Sequence, residues 1–283
     1  MRPFSLVIPA FNEEEGVVSV IEAVRGAGLS CEVVVVDDGS TDGTAAAARR
    51  AGATVLRHPS NAGYGMSLMD GIEAASCDII VITDADGSYP AERIPALVAK
   101  IEEGFDMAVG ARHGTQQYDS LLRIPARFVF RFLVEFTTGA RVPDINSGLR
   151  SFRKSQALPY FPDLCRGFSF TTTLTLIYIL SGKYVVYLPI EYRERIGRSK
   201  IRIVRDTLRT LQYIIEVIVT YNPLKLFLLL CLLPGALALA TMGWWAVSRQ
   251  PTLLIVAAIL FGASFILFGL GLLAFLGRKK APS

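Results

Sequence analysis

Residues 78–90 read DIIVITDADGSYP, and the rest of the chain is best read outward from them. An unbroken Ile/Val run without polar alternation marks a strand buried on both faces, the habit of a parallel sheet covered by helices. The run stops at Asp84-Ala85-Asp86. Ligands of open α/β sheets bind beyond the carboxyl ends of the strands, so two acids one residue apart at such an end define a candidate site.

The same pattern repeats on either side. Strands are predicted at Ser5–Ile8, Glu32–Val36, Thr54–Arg57, Asp78–Thr83 and Met107–Gly110. They alternate with helices over Glu13–Gly26, Gly43–Ala51, Met66–Ala75 and Ala91–Glu103. That order predicts an α/β fold with a doubly wound, mostly parallel sheet. Residues 111–200 are less regular, with helices over Ser120–Thr138 and Thr171–Ser181 and strands near Ser147–Arg153 and Tyr184–Pro189. No internal repeat or low-complexity stretch interrupts them.

Composition is uneven. Hydrophobic residues make up 52% of the 283 and charged ones only 19%, below the ~25% charged of an ordinary soluble domain. Mean hydropathy is +0.42. The excess lies in residues 226–247 and 253–276, neither of which holds a charge. At ~1.5 Å per residue each crosses a hydrocarbon core of ~30 Å. Ser248–Thr252 forms the turn between them. Lys225 precedes this hairpin and Arg278-Lys279-Lys280 follow it, against Arg249 alone in the turn. The positive-inside rule then places both ends, and the large N-terminal part, in the cytoplasm. No N-terminal signal peptide is visible, since the apolar run Phe4–Ala10 is short and meets Asn12-Glu13-Glu14-Glu15. Gly262, Gly269 and Gly271 allow close helix approach, and with it a homo-oligomer.

The net charge is +4, but Arg193, Arg195, Arg198, Lys200, Arg202, Arg205 and Arg209 crowd just before the hairpin. Anionic lipid or a phosphorylated substrate suits that position better than nucleic acid. Over Ile201–Thr220 an apolar stripe of Val204, Leu208, Leu211, Ile215 and Ile218 predicts an amphipathic helix, either on the membrane surface or against the soluble domain. Asn222-Pro223 marks its end. The domains expected are residues 1–200, catalytic; 201–223, a juxtamembrane helix; 224–277, the membrane hairpin; and 278–283, a cytoplasmic tail.

Three polar clusters stand at strand ends: Pro9-Ala10-Phe11-Asn12-Glu13-Glu14, Asp37-Asp38-Gly39-Ser40-Thr41-Asp42 and Asp84-Ala85-Asp86-Gly87-Ser88-Tyr89-Pro90. Asn12 and Asp42 also suit helix caps. Adjacent carboxylates repel unless a cation or donor occupies the site. Asp84 and Asp86 suit one hard cation, Mg²⁺ or Mn²⁺, shared with substrate phosphates. A dinucleotide fingerprint is missing: Gly26-Ala27-Gly28 follows a helix, and Asn61-Ala62-Gly63-Tyr64-Gly65 lacks the pattern. The cysteines Cys31, Cys77, Cys165 and Cys231 show no CxxC spacing, which indicates a reducing compartment and no zinc site. His58 and His113 read as isolated surface or loop residues.

IPAFNEEE, VVVDDGSTDGT and ITDADGSYP, in this order, resemble the family 2 glycosyltransferases with the GT-A fold. VGAR (109–112), DINSGLRSFRK (144–154), GFSF (167–170) and RIGRSK (195–200) extend the similarity. With the hairpin, the chain resembles the polyprenyl-phosphate sugar synthases, the dolichol-phosphate mannose and glucose synthase group. The resemblance implies a nucleotide diphosphate sugar donor (GDP-Man or UDP-Glc type) and a polyprenyl phosphate acceptor. It implies that Pro9, Phe11, Glu13 and Asp38, with Asp84, Ala85, Asp86, Arg195 and Lys200, bind the nucleotide sugar. Asp84 and Asp86, with Ser88 where many relatives carry glutamine, would hold the metal. Arg112, Arg123, Arg127, Ser147, Arg150 and Ser199 would meet the acceptor phosphate, with Arg112 and Arg150 counted beside the two acids as catalytic. A hydroxyl acceptor needs a general base, whereas a phosphate is already ionised; GFSFTTTLTL offers no carboxylate for that role. Two other readings stay open: a membrane-bound transferase using a hydroxyl acceptor, and a non-catalytic nucleotide-sugar-binding membrane protein.

Overall fold

The computed structural model describes residues 2–113, 124–193 and 203–278. Seven strands form one sheet: β1 (Phe4–Ala10), β2 (Glu32–Asp37), β3 (Thr54–Arg57), β4 (Ile79–Ile82), β5 (Met107–His113), β6 (Arg150–Arg153) and β7 (Val185–Glu191), in the order β3-β2-β1-β4-β6-β5-β7. The pairs β1/β2, β2/β3, β1/β4 and β5/β7 are parallel, while β6 runs antiparallel to both β4 and β5. The chain winds outward from β1 to β3 and then returns to β4 on the other side of β1. The carboxyl ends of β1 and β4 therefore flank the topological switch point, where an open sheet leaves a crevice.

Helices cover both faces because strand side chains alternate between them. In β1, Phe4, Leu6 and Ile8 pack with α1 (Glu14–Gly26) and α4 (Ile94–Glu102), whereas Val7 faces α3 (Tyr64–Ala74). The first layer buries Val17, Val20, Ile21 and Val24 of α1 against Leu97, Val98 and Ile101 of α4. The second joins Leu68, Met69 and Ile72 of α3 to Phe170, Leu174 and Ile177 of α7 (Phe170–Leu180). Glu14 and Glu15 in the first turn of α1 complement the positive end of its dipole. A short helix, α2 (Thr44–Arg50), connects β2 to β3, and α6 (Lys154–Ala157) follows β6.

The helix α5 (Ile124–Thr138) begins within the span expected from Ser120, and α8 occupies Ile203–Tyr221. The apolar stripe read in α8 is divided between two surroundings. Ile214, Val217, Ile218 and Tyr221 enter the core beside α7, while Leu208 is 62% exposed and Ile215 also faces outward. Packing against the soluble domain therefore takes one face of α8, and a second apolar face remains outside. On α5, Phe132 and Phe136 are likewise exposed, with rings 5.9 Å apart and nearly parallel.

Asn222 separates α8 from α9 (Pro223–Ser248), and only Arg249 and Gln250 precede α10 (Pro251–Leu276). The turn is thus shorter than the Ser248–Thr252 expected, because Pro251 already starts the next helix. The most apolar windows of α9 and α10 have hydropathies of 2.2 and 2.7, and only 6% of either is buried. A soluble core helix would be mostly covered, so these two are built for a membrane. Ser264 Oγ donates to Cys231 O (3.1 Å) across the hairpin, and a Cβ on Gly271 would lie 2.5 Å from Phe227 Cβ. Gly271 thus serves the seam within the hairpin, while Gly262 and Gly269 have open space in front of them. The hairpin's root is fixed to the end of α5 by Asn222 Nδ2 donating to Thr137 O (3.2 Å) and Lys225 Nζ to Phe136 O (3.4 Å).

The division of α8 gives opposite expectations for two substitutions. Ile218→Ala should cost about 2–5 kcal/mol, as for other buried Ile side chains, and lower the melting temperature of the detergent-solubilised protein. Leu208→Ala should leave it within about 0.5 kcal/mol of wild type. Equal effects would show that α8 does not pack as described.

Candidate active site

The polar clusters after β1, β2 and β4 come together at the switch point. Asn12 N donates to Ser40 Oγ (2.9 Å), Glu13 N to Thr44 Oγ1 (2.9 Å), and Thr41 N to Asn12 Oδ1 (2.8 Å). Asn12, at φ 51°, thus ties two loops together and does not cap a helix. Asp42 accepts Thr44 N (3.0 Å) from one residue before Gly43, which holds the cap position of α2, so its bond belongs to the turn that leads into the helix. Pro9 lies in β1 opposite Val36, and Phe11 and Glu13 follow on the loop, both partly buried.

The adjacent acids of β2 escape mutual repulsion by facing different partners. Asp37 pairs with Arg57 (3.1 Å) and accepts Ser40 N (3.0 Å). Asp38 accepts His58 Nδ1 (2.7 Å), Ala62 N (2.7 Å) and Gly63 N (2.9 Å). His58 is consequently not isolated, since its Nε2 lies 2.9 Å from Asp70 Oδ2. Burial works to lower its pKa, but the bonds to Asp38 and Asp70 outweigh that and hold it above the ordinary value.

Asp84 and Asp86 sit just past β4. Asp84 Oδ1 accepts the Tyr64 hydroxyl (2.8 Å), and Asp86 Oδ1 accepts Ser88 N (3.1 Å) and Ser88 Oγ (2.5 Å). Ser88 is buried, with its hydroxyl directed at Asp86. Two glycines admit the backbone around these acids. A Cβ on Gly16 would lie 2.3 Å from Ala85 O, so α1 abuts the turn, and one on Gly148 would lie 2.7 Å from both Asp84 oxygens. Gly148 thus makes room for the Asp84 carboxylate itself, and the hard oxygens of Asp84 and Asp86 are of the kind that suits a divalent cation. Among the described residues no three His, Cys, Asp or Glu side chains form a metal cage, so further ligands would come from substrate oxygens and water.

Two strands along the sheet from β4, near the end of β5, stands Arg112, held by a two-pronged pair with Asp144 (Nε–Oδ2 2.7 Å, Nη2–Oδ1 2.9 Å) and lying over the Tyr192 ring, 5.3 Å from its centroid. Burial opposes its charge, but the Asp144 bonds raise its pKa above the usual guanidinium value. Ser147 is buried and donates to Gly110 O (2.6 Å). Arg150 is 0% exposed; its guanidinium donates to Ser147 O, Ile145 O, Thr171 O and Thr175 Oγ1. Both side chains are thus turned into the protein, bracing the 144–150 loop from beneath. Arg123, Arg195, Ser199 and Lys200 lie outside the described residues, and Arg127 is placed only as part of the α5 backbone. Tyr64, Asp144 and His58 were not singled out by sequence; only their spacing from the strand ends, just after β3 and just before β6, could have drawn attention to them.

A doubly wound sheet with two acids at its switch point, an arginine fixed on a neighbouring strand end and an apolar hairpin together point to a class of protein that known relatives specify. The glycosyl transferase family 2 model matches residues 5–171, and the chain belongs to that family. It is 31% identical to the undecaprenyl-phosphate 4-deoxy-4-formamido-L-arabinose transferase of Salmonella paratyphi B (strain ATCC BAA-1250 / SPB7), over 98% of this chain and 89% of that one. The same figures hold for the enzyme of Salmonella newport (strain SL254). Among solved structures it resembles glucosyl-3-phosphoglycerate synthase from Mycobacterium tuberculosis in complex with Mn²⁺, UDP-glucose and phosphoglyceric acid, with TM-score 0.62, 22% identity, and coverage of 76% of this chain and 79% of that one. The same synthase with Mg²⁺ and UDP gives TM-score 0.61 at 22% identity. These structures show the shared GT-A fold. The protein is a glycosyltransferase with two apolar helices appended.

Two outcomes follow from this geometry. Gly148→Ala should reduce transfer at least 10-fold, about 1.4 kcal/mol in the barrier, with an unchanged circular dichroism spectrum; full activity would mean that Asp84 does not need the space. His58 has a raised folded pKa, so its stabilisation is complete below the unfolded value of about 6.5 and is lost as pH rises through the folded one. The melting temperature of wild type should fall over that window relative to His58→Gln. Parallel profiles for the two proteins would refute the coupling.

Proposed function

We propose that this chain transfers a hexose or related sugar from a nucleotide diphosphate sugar to a polyprenyl phosphate at a membrane surface, with inversion at the anomeric carbon. The observation that carries the reading is the pairing of Asp84 and Asp86 with Arg112 on a catalytic sheet fixed to a hairpin of membrane length. The naming of the Salmonella relatives as undecaprenyl-phosphate sugar transferases, matched over nearly the full chain, supports the acceptor class.

In this reading the nucleotide lies along Pro9, Phe11, Glu13 and Asp38, and its diphosphate reaches Asp84, Ala85 and Asp86. Mg²⁺ or Mn²⁺ held by the two acids neutralises charge on the leaving diphosphate. Ser88 orients Asp86 through its hydroxyl and backbone N–H. Arg112, its fork fixed by Asp144 and its face by Tyr192, presents charge to the acceptor phosphate, and such preorganised donors spare reorganisation during the reaction. Arg150 and Ser147 act by holding the loop that carries Asp144 in place. Arg123, Arg127, Arg195, Ser199 and Lys200 add cations and a hydroxyl around the phosphates. Because the acceptor oxygen is ionised, no general base is required. The threonines where one could stand, Thr171 to Thr173, are buried in the first turn of α7.

Residues 1–200 form the catalytic unit, 201–223 the juxtamembrane helix, 224–277 the anchor and 278–283 the tail. The outward apolar residues Leu208, Ile215 and Val219 of α8, with Phe132 and Phe136 of α5, rest on the bilayer beside the hairpin root. Lys225 and Arg278 lie at the end of the hairpin nearest the catalytic unit, and the positive-inside rule makes them support for a cytoplasmic position of that unit.

The test uses labelled UDP- and GDP-sugars, a short polyprenyl phosphate and either Mg²⁺ or Mn²⁺. Wild type should form a labelled lipid phosphate sugar, and Asp86→Ala should reduce it at least 100-fold. Near-wild-type transfer by Asp86→Ala would overturn the role of the acids. Labelling of a hydroxyl acceptor alone would overturn the acceptor.

A further inference from the structure

Residues 61–65, NAGYG, match no phosphate-binding pattern, yet they join the parts of the site. At one end Asp38 accepts Ala62 N (2.7 Å) and Gly63 N (2.9 Å), which ties the segment to the end of β2. At the other, Met66 N donates to Arg166 O (2.8 Å), and a Cβ on Gly65 would lie 2.2 Å from Cys165 O. Between these anchors the Tyr64 hydroxyl meets Asp84 Oδ1 at 2.8 Å. Its ring is backed by Phe168, with centroids 6.4 Å apart and planes inclined by 47°. Tyr64 is therefore held by backbone on both sides and by a ring behind it.

We infer that Tyr64 is a positioning residue for Asp84. Its hydroxyl engages one oxygen of the carboxylate and fixes the rotation of the group, so that the remaining oxygen sites face the cation bound with the donor diphosphate. The terminal torsion of an aspartate is broad and roughly two-fold, and Gly148 supplies no Cβ to restrict it from the other side. With the hydroxyl in place, this part of the ordering of the carboxylate precedes the metal; without it, binding must supply that part. Partners that orient metal-binding groups typically change metal affinity by about 10–100-fold. The inference rests on the reading of Asp84 and Asp86 as the metal-holding pair.

The test is a titration of Mn²⁺ into full-length protein in detergent at fixed pH, with saturating UDP or GDP, following free Mn²⁺ by electron paramagnetic resonance. Tyr64→Phe keeps the ring and removes only the hydroxyl. It should raise the Mn²⁺ dissociation constant about 10-fold while leaving the melting temperature of the metal-free protein unchanged. Asp86→Ala serves as the reference. If Asp86→Ala abolishes binding and Tyr64→Phe binds as wild type does, the inference about Tyr64 is overturned and the metal-holding pair stands. If Asp86→Ala itself binds as wild type does, the underlying reading of the pair falls.

Discussion

Negative charge gathers where it is hardest to keep. Asp38, Asp84 and Asp86 lie at the ends of β2 and β4, the two strands that flank β1, and a nucleotide diphosphate adds more charge of the same sign. Like charges in a partly buried crevice raise one another's pKa unless donors or cations hold them apart. Much of the surrounding structure can be understood as a response to that constraint. Asp37 is given to Arg57, Asp38 to His58 and two backbone N–H groups, Asp84 to Tyr64, and Asp86 to Ser88. Each acid is met by its own donors, and Asp84 lies close against Gly148, where any side chain would collide with it.

The positive side of the site is built differently. Arg112 takes its fixed geometry from a carboxylate, Asp144, that is itself buried. Arg150 has no such partner and spends its donors on backbone carbonyls and a threonine. Burial accordingly pulls its pKa below the ordinary guanidinium value, although an arginine stays protonated in such a setting. The two arginines show how one residue type is held in two ways, one locked to a buried carboxylate and the other cross-linking a loop through its carbonyls.

Legibility in the sequence followed the range of the interactions. Strand and helix order depends on local apolar runs, and β1 to β5 and the two long helices emerge within a few residues of their expected bounds. The reversal of β6 depends on pairing with β4 and β5, partners distant in sequence, and no local pattern announces it. The stripe on α8 shows a second limit: periodicity identifies an apolar face, but Ile218 and Leu208 carry the same hydropathy and meet different surroundings. The acids at strand ends were legible because strand termini localise them. Their donors were not, because His58 reaches Asp38 only through the pairing of β3 with β2, and Tyr64 reaches Asp84 only once α3 is folded back over the sheet. Arg150 misled for a related reason, since a cation in a loop near a phosphate site looks the same in sequence whether it faces out or in.

The two-residue link between α9 and α10 has a consequence for traffic across the bilayer. With only Arg249 and Gln250 outside the helices at that end, the protein offers almost no surface to the far aqueous phase. Residues 226–247 and 253–276 contain no Asp, Glu, Lys, Arg or His from which a polar track could start. Among the described residues the hairpin thus has the make-up of an anchor, with no charged group inside its apolar spans on which a polar solute could cross.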